Sequence, residues 1–355
     1  MSVDHSKGRT LILGAGNFAT LLAREILAQP QSGYQLLGLV NCETHAALCG
    51  DLTILGQVEN LHSIIVQSQA ERIIVALPRS ADLLPTHHLI EARVGTDILV
   101  EDGDTIYEEL TGKLRIEALE PRLVIFDKAL KPSHFSQGVA RALSFCCAVV
   151  GMIVFTPLLL LLAFAVKLDS DGPALFIQER VGLGGKPFRL LKFRTMRPSD
   201  NRKSEWVSDN THRITRLGRI LRKYRLDELP QFINVLKGDM NIVGPRPHPA
   251  SNLSMFVLVS RNTPECGFQI PYYTLRSLVR PGITGWAQVR YRYANNLREE
   301  IEKLRFDLYY VKHYSLWLDI RILVETIAVV FLGRESSETS DHDDKDVAAE
   351  TNSSM

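Results

Sequence analysis

From Thr10 to Val100 the apolar positions come in short continuous runs, at Thr10 to Leu13, Leu36 to Val40, Arg72 to Leu77 and Asp97 to Val100. Runs of that length predict buried strands, and the longer mixed stretches between them leave room for helices. Strands alternating with helices predict a parallel sheet, an α/β domain of Rossmann-like order. Gly14-Ala15-Gly16-Asn17-Phe18-Ala19 follows the first strand and opens a helix to about Leu27. Such a turn lets a pyrophosphate approach a helix N-terminus, and it serves equally to pack a helix on a strand. A dinucleotide site also wants an acid at the end of the second strand. That strand ends at Asn41, with Glu43 two residues further on, so the turn is expected to be structural or regulatory.

The pattern changes at Leu143 to Val166, which holds no charged residue. As a straight helix it measures about 36 Å at about 1.5 Å per residue, enough to cross a bilayer. Thr156-Pro157 falls near its middle, where proline removes a backbone donor and crowds the carbonyl four residues back. A membrane break is expected there, with the Thr156 hydroxyl bonding a preceding carbonyl. Lys128, Lys131 and Arg141 precede the segment and Lys167, Arg180 and Lys186 follow it. Basic flanks on both sides give no reason to place them across a membrane, so a re-entrant helical hairpin is expected. Leu316 to Leu332 is also apolar, but Asp319, Arg321 and Glu325 interrupt it. Trp317, Ile320, Val324, Ile327 and Phe331 share one helical face there, which fits an interfacial helix or a packing helix. Glu335 to Met355 is rich in Ser, Asp and Glu, the composition of a disordered acidic tail. Four parts result: residues 1–127, a Rossmann-like domain of the nucleotide- or CoA-binding kind; 128–168, a linker and membrane helix; 169–333, a mainly helical α+β catalytic domain; and the tail, 334–355.

Composition sharpens this picture in three places. A formal charge of +1 creates no global field, so anion binding must come from local clustering of the 41 Lys and Arg residues, and nucleic acid is not an expected partner. Five cysteines without a C-x-x-C pair fit neither a disulfide framework nor a zinc site. Met1 to Arg9 lacks the apolar core of a secretory signal, which predicts a cytoplasmic first domain.

Clustering appears from Thr215 onward. Helical spacing there puts Leu217, Ile220, Leu221 and Tyr224 on a packing face and Arg216, Arg219, Arg222 and Lys223 largely on the other. Arg225-Leu226-Asp227-Glu228-Leu229-Pro230-Gln231 follows; Pro230 suits a first turn and Gly238 a helix stop. Asp227 and Glu228 would then sit at a helix start, where carboxylates also act simply as caps. Beside a cationic helix and Gly244-Pro245-Arg246-Pro247, however, two acids make a site able to hold metal, phosphate and a nucleophile. Those are the parts of phosphoryl transfer, where catalysis is mostly positioning and charge neutralisation.

These blocks resemble the monotopic bacterial phosphoglycosyl transferases, or polyprenyl glycosylphosphotransferases, of exopolysaccharide, capsule and O-antigen assembly. The resemblance covers about Lys131 to Gly333. Its marks are the apolar segment with Thr156-Pro157, Asp169-Ser170-Asp171-Gly172-Pro173, Gln178-Glu179-Arg180-Val181-Gly182 and Lys192-Phe193-Arg194-Thr195-Met196. Later come the Asp227-Glu228 block, Gly244-Pro245-Arg246-Pro247, Arg280-Pro281-Gly282-Ile283-Thr284-Gly285-Trp286 and Asp307-Leu308-Tyr309-Tyr310. The resemblance implies transfer of a sugar 1-phosphate from a nucleotide sugar, a UDP sugar by analogy, to polyprenyl phosphate. It implies Asp227 as nucleophile with Glu228 as its partner, and magnesium (Mg2+) on Asp227 and Asp307. Lys186, Lys192, Arg194, Arg222, Arg225 and Arg246 would bind substrate phosphates. The expected place is the cytoplasmic face of the inner membrane, in contact with its lipid, and a homodimer is compatible with the pattern. Two rivals remain: a metal-dependent glycosyltransferase using Asp169 and Asp171, and a non-enzymatic, nucleotide-sensing membrane scaffold. An epimerase or dehydratase is disfavoured, because its Tyr-x-x-x-Lys pair is missing.

Overall fold

The computed structural model describes residues 8–42, 52–77, 84–119, 124, 130, 132–197, 213–249, 271–291 and 297–332. Glu43, Lys128, Lys131 and the acidic stretch from Glu335 to Met355 lie outside the described residues. Contacts divide the chain into two compact units, Met1–Glu120 and Pro121–Met355.

The first unit is a five-stranded parallel sheet in the order β3-β2-β1-β4-β5. Its strands are β1 (Gly8–Leu13), β2 (Tyr34–Asn41), β3 (Ile54–Gln57), β4 (Arg72–Val75) and β5 (Leu99–Asp102). Helices α1 (Asn17–Ala28), α2 (Leu61–Ser68) and α3 (Thr86–Gly95) lie between strands, and α4 (Gly103–Thr111) follows β5. Alternate residues of β1 serve opposite faces, Ile12 packing with α1 and Leu11 and Leu13 with α2, as a doubly covered parallel strand requires. The turn after β1 must bring its backbone close to β4, since a Cβ on Gly14 (φ +131°) would lie 2.6 Å from the Ala76 carbonyl oxygen. Two differences from the sequence reading are local. β5 is shifted to Leu99–Asp102 because Asp102 also caps α4, its carboxylate accepting from the Thr105 amide at 3.1 Å. β3 is an edge strand with Ile54 and Leu55 exposed, so no buried run announces it.

The first long element described in the second unit is α5 (His134–Asp169), a single helix long and apolar enough to cross a membrane. The hairpin β6 (Leu175–Val181) and β7 (Pro187–Phe193) is antiparallel, Phe176 facing Lys192. Two short helices follow, α6 (Arg216–Lys223) and α7 (Gln231–Lys237), then the parallel pair β8 (Asn241–Val243) and β9 (Gly282–Thr284). The unit closes with α8 (Trp286–Arg290), α9 (Leu297–Lys312) and α10 (Leu316–Leu332).

Pro157 lies inside α5 and does not end it. The Thr156 hydroxyl donates to the Met152 carbonyl, as expected, so local hydrogen bonding continues beside the donor that proline lacks. A narrow stripe of α5 is buried, Ala140, Ser144, Ala148 and Gly151 before the proline and Leu162 and Val166 after it. The first group meets α7 and β8: Ser144 Oγ accepts from the Ile242 amide at 3.1 Å, and Arg141 donates to the Met240 carbonyl at 3.2 Å. The second joins Phe193 of β7 and Leu221 of α6. The rest of α5 is outward apolar surface, with Phe135, Ile153, Leu160, Phe164 and Leu168 all exposed.

α6 packs more narrowly than expected. Leu221 is buried and Leu217 packs beside it, whereas Ile220 and Tyr224 are about half exposed. At about 100° per residue, Ile220 turns away from the line Leu217–Leu221 on which this two-turn helix rests. On α10, Leu318 and Ile322 face the core, while Trp317, Ile320, Val324 and Ile327 form an exposed apolar stripe.

Candidate active site

Three chain segments converge on Glu228. Arg225 takes a left-handed conformation (φ 53°, ψ 22°) at the end of α6, which reverses the chain into a 3-10 turn, Leu226–Glu228. Asp227 and Glu228 are therefore in the turn before α7, and Pro230 opens that helix, which stops at Gly238 in the left-handed region as expected. Fully buried Asn234 laces α7 to β7, its amide donating to the Arg189 carbonyl at 2.7 Å and its oxygen accepting from the Leu191 amide at 3.0 Å. This fixes Lys192 opposite Glu228. Arg246 arrives on the loop after β8, where Gly244 and Gly285 meet backbone to backbone; a Cβ on either glycine would overlap the neighbouring main chain.

Glu228 Oε1 accepts from Lys192 Nζ and from Arg246 Nη2, each at 3.2 Å, and Oε2 lies 3.9 Å from Arg225 Nη1. Burial alone would raise the Glu228 carboxyl, but the Lys192, Arg246 and Arg225 charges outweigh it and hold it at about 2. Burial pushes the Lys192 ammonium down, against the pull of Glu228. Asp227 is 9% exposed, and its carboxylate makes no hydrogen bond or ion pair with the described residues. Burial, then the neighbouring Glu228 charge, raises its carboxyl, while Lys192, Arg246 and Arg222 oppose the rise. One carboxylate is thus tied, and the other is buried beside three cations with no hydrogen-bond partner among the described residues. A cleft of about 230 Å³ runs along Arg180, Lys192, Glu228, Gln231 and Arg246.

A second buried charge cluster lies on the other side of Arg246. Arg276 donates to the Arg246 carbonyl at 3.0 Å and pairs with Asp307 at 2.6 Å. Along α9, Lys303 pairs with Glu300 at 3.2 Å, and Glu300 lies 3.7 Å from His248 Nε2. Burial, then the Arg276 and Lys303 charges, push the His248 imidazolium well below its ordinary value, so the ring is neutral. Burial raises Asp307, against the Arg276 and Lys303 charges.

The residues singled out from sequence divide accordingly. Asp227, Glu228, Lys192, Arg225 and Arg246 come together, and Arg222 joins them through its charge while its Nε donates to Thr195 Oγ1 at 2.9 Å. Asp307, expected from sequence to share a magnesium ion with Asp227, belongs to the second cluster, and Arg246 is a leading electrostatic neighbour of both. Arg194 donates to the Val166 and Ser170 carbonyls and so caps α5. Lys186 is exposed at the tip of the β6–β7 hairpin. Asp169 and Asp171 are exposed at the end of α5, and no cluster of three or more metal-ligating side chains occurs among the described residues. Sequence reading missed Arg276, His248, Glu300 and Lys303. The one available signal was Glu300, Lys303 and Asp307 at i, i+3 and i+7, three charges on one helical face where a packing stripe belongs.

Magnesium accepts one or two carboxylates and takes its remaining oxygens from substrate phosphate and water. Asp227 and Glu228 Oε2, neither with a hydrogen-bond partner among the described residues, would be the carboxylates to meet that requirement.

The family model described as bacterial sugar transferase matches residues 135–333, all within the second unit. The UDP-N-acetylgalactosamine-undecaprenyl-phosphate N-acetylgalactosaminephosphotransferase of Aeromonas hydrophila is 40% identical over 64% of this chain, which spans 51% of that protein. The UDP-glucose:undecaprenyl-phosphate glucose-1-phosphate transferase of Escherichia coli K12 is 31% identical over 93% of this chain and 70% of its own length. An uncharacterized sugar transferase of Bacillus subtilis is 37% identical over 54% of this chain and 88% of its own length.

Proposed function

The chain belongs to the bacterial sugar transferase family, and from that membership we propose that it moves a sugar 1-phosphate from a UDP sugar to undecaprenyl phosphate. The observation that carries the reading is the unequal treatment of two adjacent carboxylates: Glu228 holds Lys192 and Arg246, and Asp227 stays unengaged beside them.

In this reading an Asp227 oxygen attacks the phosphorus that bears the sugar. The bond from that phosphorus to the bridging oxygen breaks, and UMP leaves with the electron pair. A sugar phosphate is left on the Asp227 carboxylate as a mixed anhydride. An undecaprenyl phosphate oxygen then attacks the same phosphorus, regenerating Asp227 and giving undecaprenyl diphosphate sugar. Lys192, Arg246 and Arg222 lower the cost of bringing one anion against another, and Glu228 keeps two of these cations in place. Magnesium held by Asp227 and Glu228 would neutralise charge on the donor diphosphate.

The membrane arrangement follows from α5. Its buried stripe touches the same compact unit both before and after Pro157, which favours placing both ends of the apolar segment on one side of a bilayer. That supports re-entrant, monotopic insertion from the cytoplasmic face, with the exposed stripe on α10 resting in the interface. The site thereby meets a lipid phosphate at the membrane surface.

The test supplies purified protein with a UDP sugar and undecaprenyl phosphate, then separates nucleotide and lipid products. Equal amounts of UMP and undecaprenyl diphosphate sugar are expected. Release of UDP with a lipid monophosphate sugar would mean glycosyl transfer and would overturn the reading.

A further inference from the structure

Across Arg246 from Glu228 lies a second cleft, of about 310 Å³, whose polar lining comes from Arg246, His248, Tyr273, Arg276 and Ser277. Val181, Val279 and the prolines 245, 247 and 281 add apolar wall, and no carboxylate is among the described residues that line it. The two clefts share Arg246 and Pro247, so one ligand laid over Arg246 reaches both.

We propose that this second cleft seats the nucleoside of the leaving nucleotide, its phosphate on Arg246 and the polar edge of its base against His248. The proposal rests on the donor reading above. A nucleotide sugar has two ends about its diphosphate. If the sugar-bearing phosphorus faces Asp227, the nucleoside must extend the other way, and the cleft beyond Arg246 has the fitting chemistry.

His248 supplies the selectivity. Its side chain is buried, and Nδ1 has no hydrogen-bond partner among the described residues. Glu300 Oε2, 3.7 Å from Nε2, favours the proton on that nitrogen and leaves Nδ1 an acceptor. The ring is kept neutral by burial and by Arg276 and Lys303, with Arg180 and Arg246 acting in the same direction and Glu300 the facing carboxylate. An acceptor in that place pairs with the imide N–H of uracil, whereas cytosine offers no proton at the corresponding nitrogen. The Tyr273 ring packs edge-on against His248, centroids 5.7 Å apart, and Arg276 lies 5.2 Å over it, so the wall is held from behind.

Competition against a UDP sugar tests this with the full chain in lipid nanodiscs, using UMP, CMP and inorganic pyrophosphate as probes. UMP should compete at least about tenfold better than CMP, because a site built to hydrogen-bond one partner rejects the analogue lacking it. His248→Phe should weaken UMP by about tenfold and leave pyrophosphate unchanged, since the phosphate contacts are on Arg246. Ser277→Ala provides a milder change on the same wall, and 4-thio-UMP should photocrosslink to residues 271–281 or 245–249. The proposal is overturned if both variants bind UMP normally, if UMP and pyrophosphate weaken together, or if the crosslink maps elsewhere while UMP still binds. Failure of every uridine nucleotide to compete would overturn the donor reading as well.

Discussion

Asp227 and Glu228 are neighbours in sequence and opposites in environment. Glu228 accepts from two cations and is held at about 2, while Asp227 accepts from none of the described residues and is raised by burial and by Glu228. The residue types were visible in the sequence, as was the pairing of acids with a basic helix. The partner of Glu228 was not, because Lys192 sits 36 positions earlier on β7 and is brought there by Asn234. Two outcomes follow at this scale. In the proposed reaction Asp227 must be ionised to attack, so kcat/KM should fall as pH falls through a value above the ordinary 3.8. In Glu228→Gln the charge that raises Asp227 is gone, and the acid limb of the residual activity should move to lower pH; a limb that moves up contradicts the electrostatics. Glu228 also links stability to pH. Its folded-state value is depressed from 4.5 to about 2, so its contribution is complete above about 4.5 and is lost as pH falls toward 2. Thermal midpoints of wild type and Glu228→Gln measured across that window should converge on the acid side.

At the level of elements, periodicity found what it is suited to find. The parallel strands other than β3, the Pro230-to-Gly238 helix and the uncharged segment within α5 were legible because burial writes itself into spacing. Arg194 was not legible as a helix cap, since the carbonyls of Val166 and Ser170 are more than twenty residues away and a basic residue in a basic block reads as phosphate-binding. Arg225 was equally hidden: nothing in Tyr224-Arg225-Leu226 announces a left-handed residue. A non-glycine residue there costs about 1–2 kcal/mol. Arg225→Gly should therefore leave stability equal or higher while lowering activity, because it also removes the cation 3.9 Å from Glu228 Oε2. A melting midpoint several degrees lower, with activity intact, would mean that the turn depends on the side chain and that the ion pair does not matter. For α5, Pro157→Leu should favour spanning over return. Single cysteines at Phe135 and Lys186 should label from the same face in wild type, and from opposite faces in a spanning variant.

For the whole molecule, the proposed chemistry falls within one of the two compact units. The family match and every residue of the candidate site lie beyond Pro121, and a relative with 88% of its length aligned covers only 54% of this chain. Removal of residues 1–120 should therefore leave measurable transfer in a folded remainder. A folded but inactive truncation would assign catalysis a contribution from the Rossmann-like unit. The fold class of that unit was readable because a parallel sheet is a local, repeated pattern. The second unit is assembled from contacts far apart in sequence, so its motifs could be recognised but not their arrangement. The central claim, that Asp227 carries the sugar phosphate, is tested most directly by mixing the enzyme with UDP sugar and magnesium before any lipid is added, then measuring intact mass and mapping peptides. The account expects one equivalent of UMP, a sugar phosphate adduct on Asp227 that transfers when undecaprenyl phosphate is supplied, and a rate loss of at least about 10³, roughly 4 kcal/mol, in Asp227→Asn. Donor turnover only in the presence of lipid, no adduct, and an active Asp227→Asn variant would contradict it.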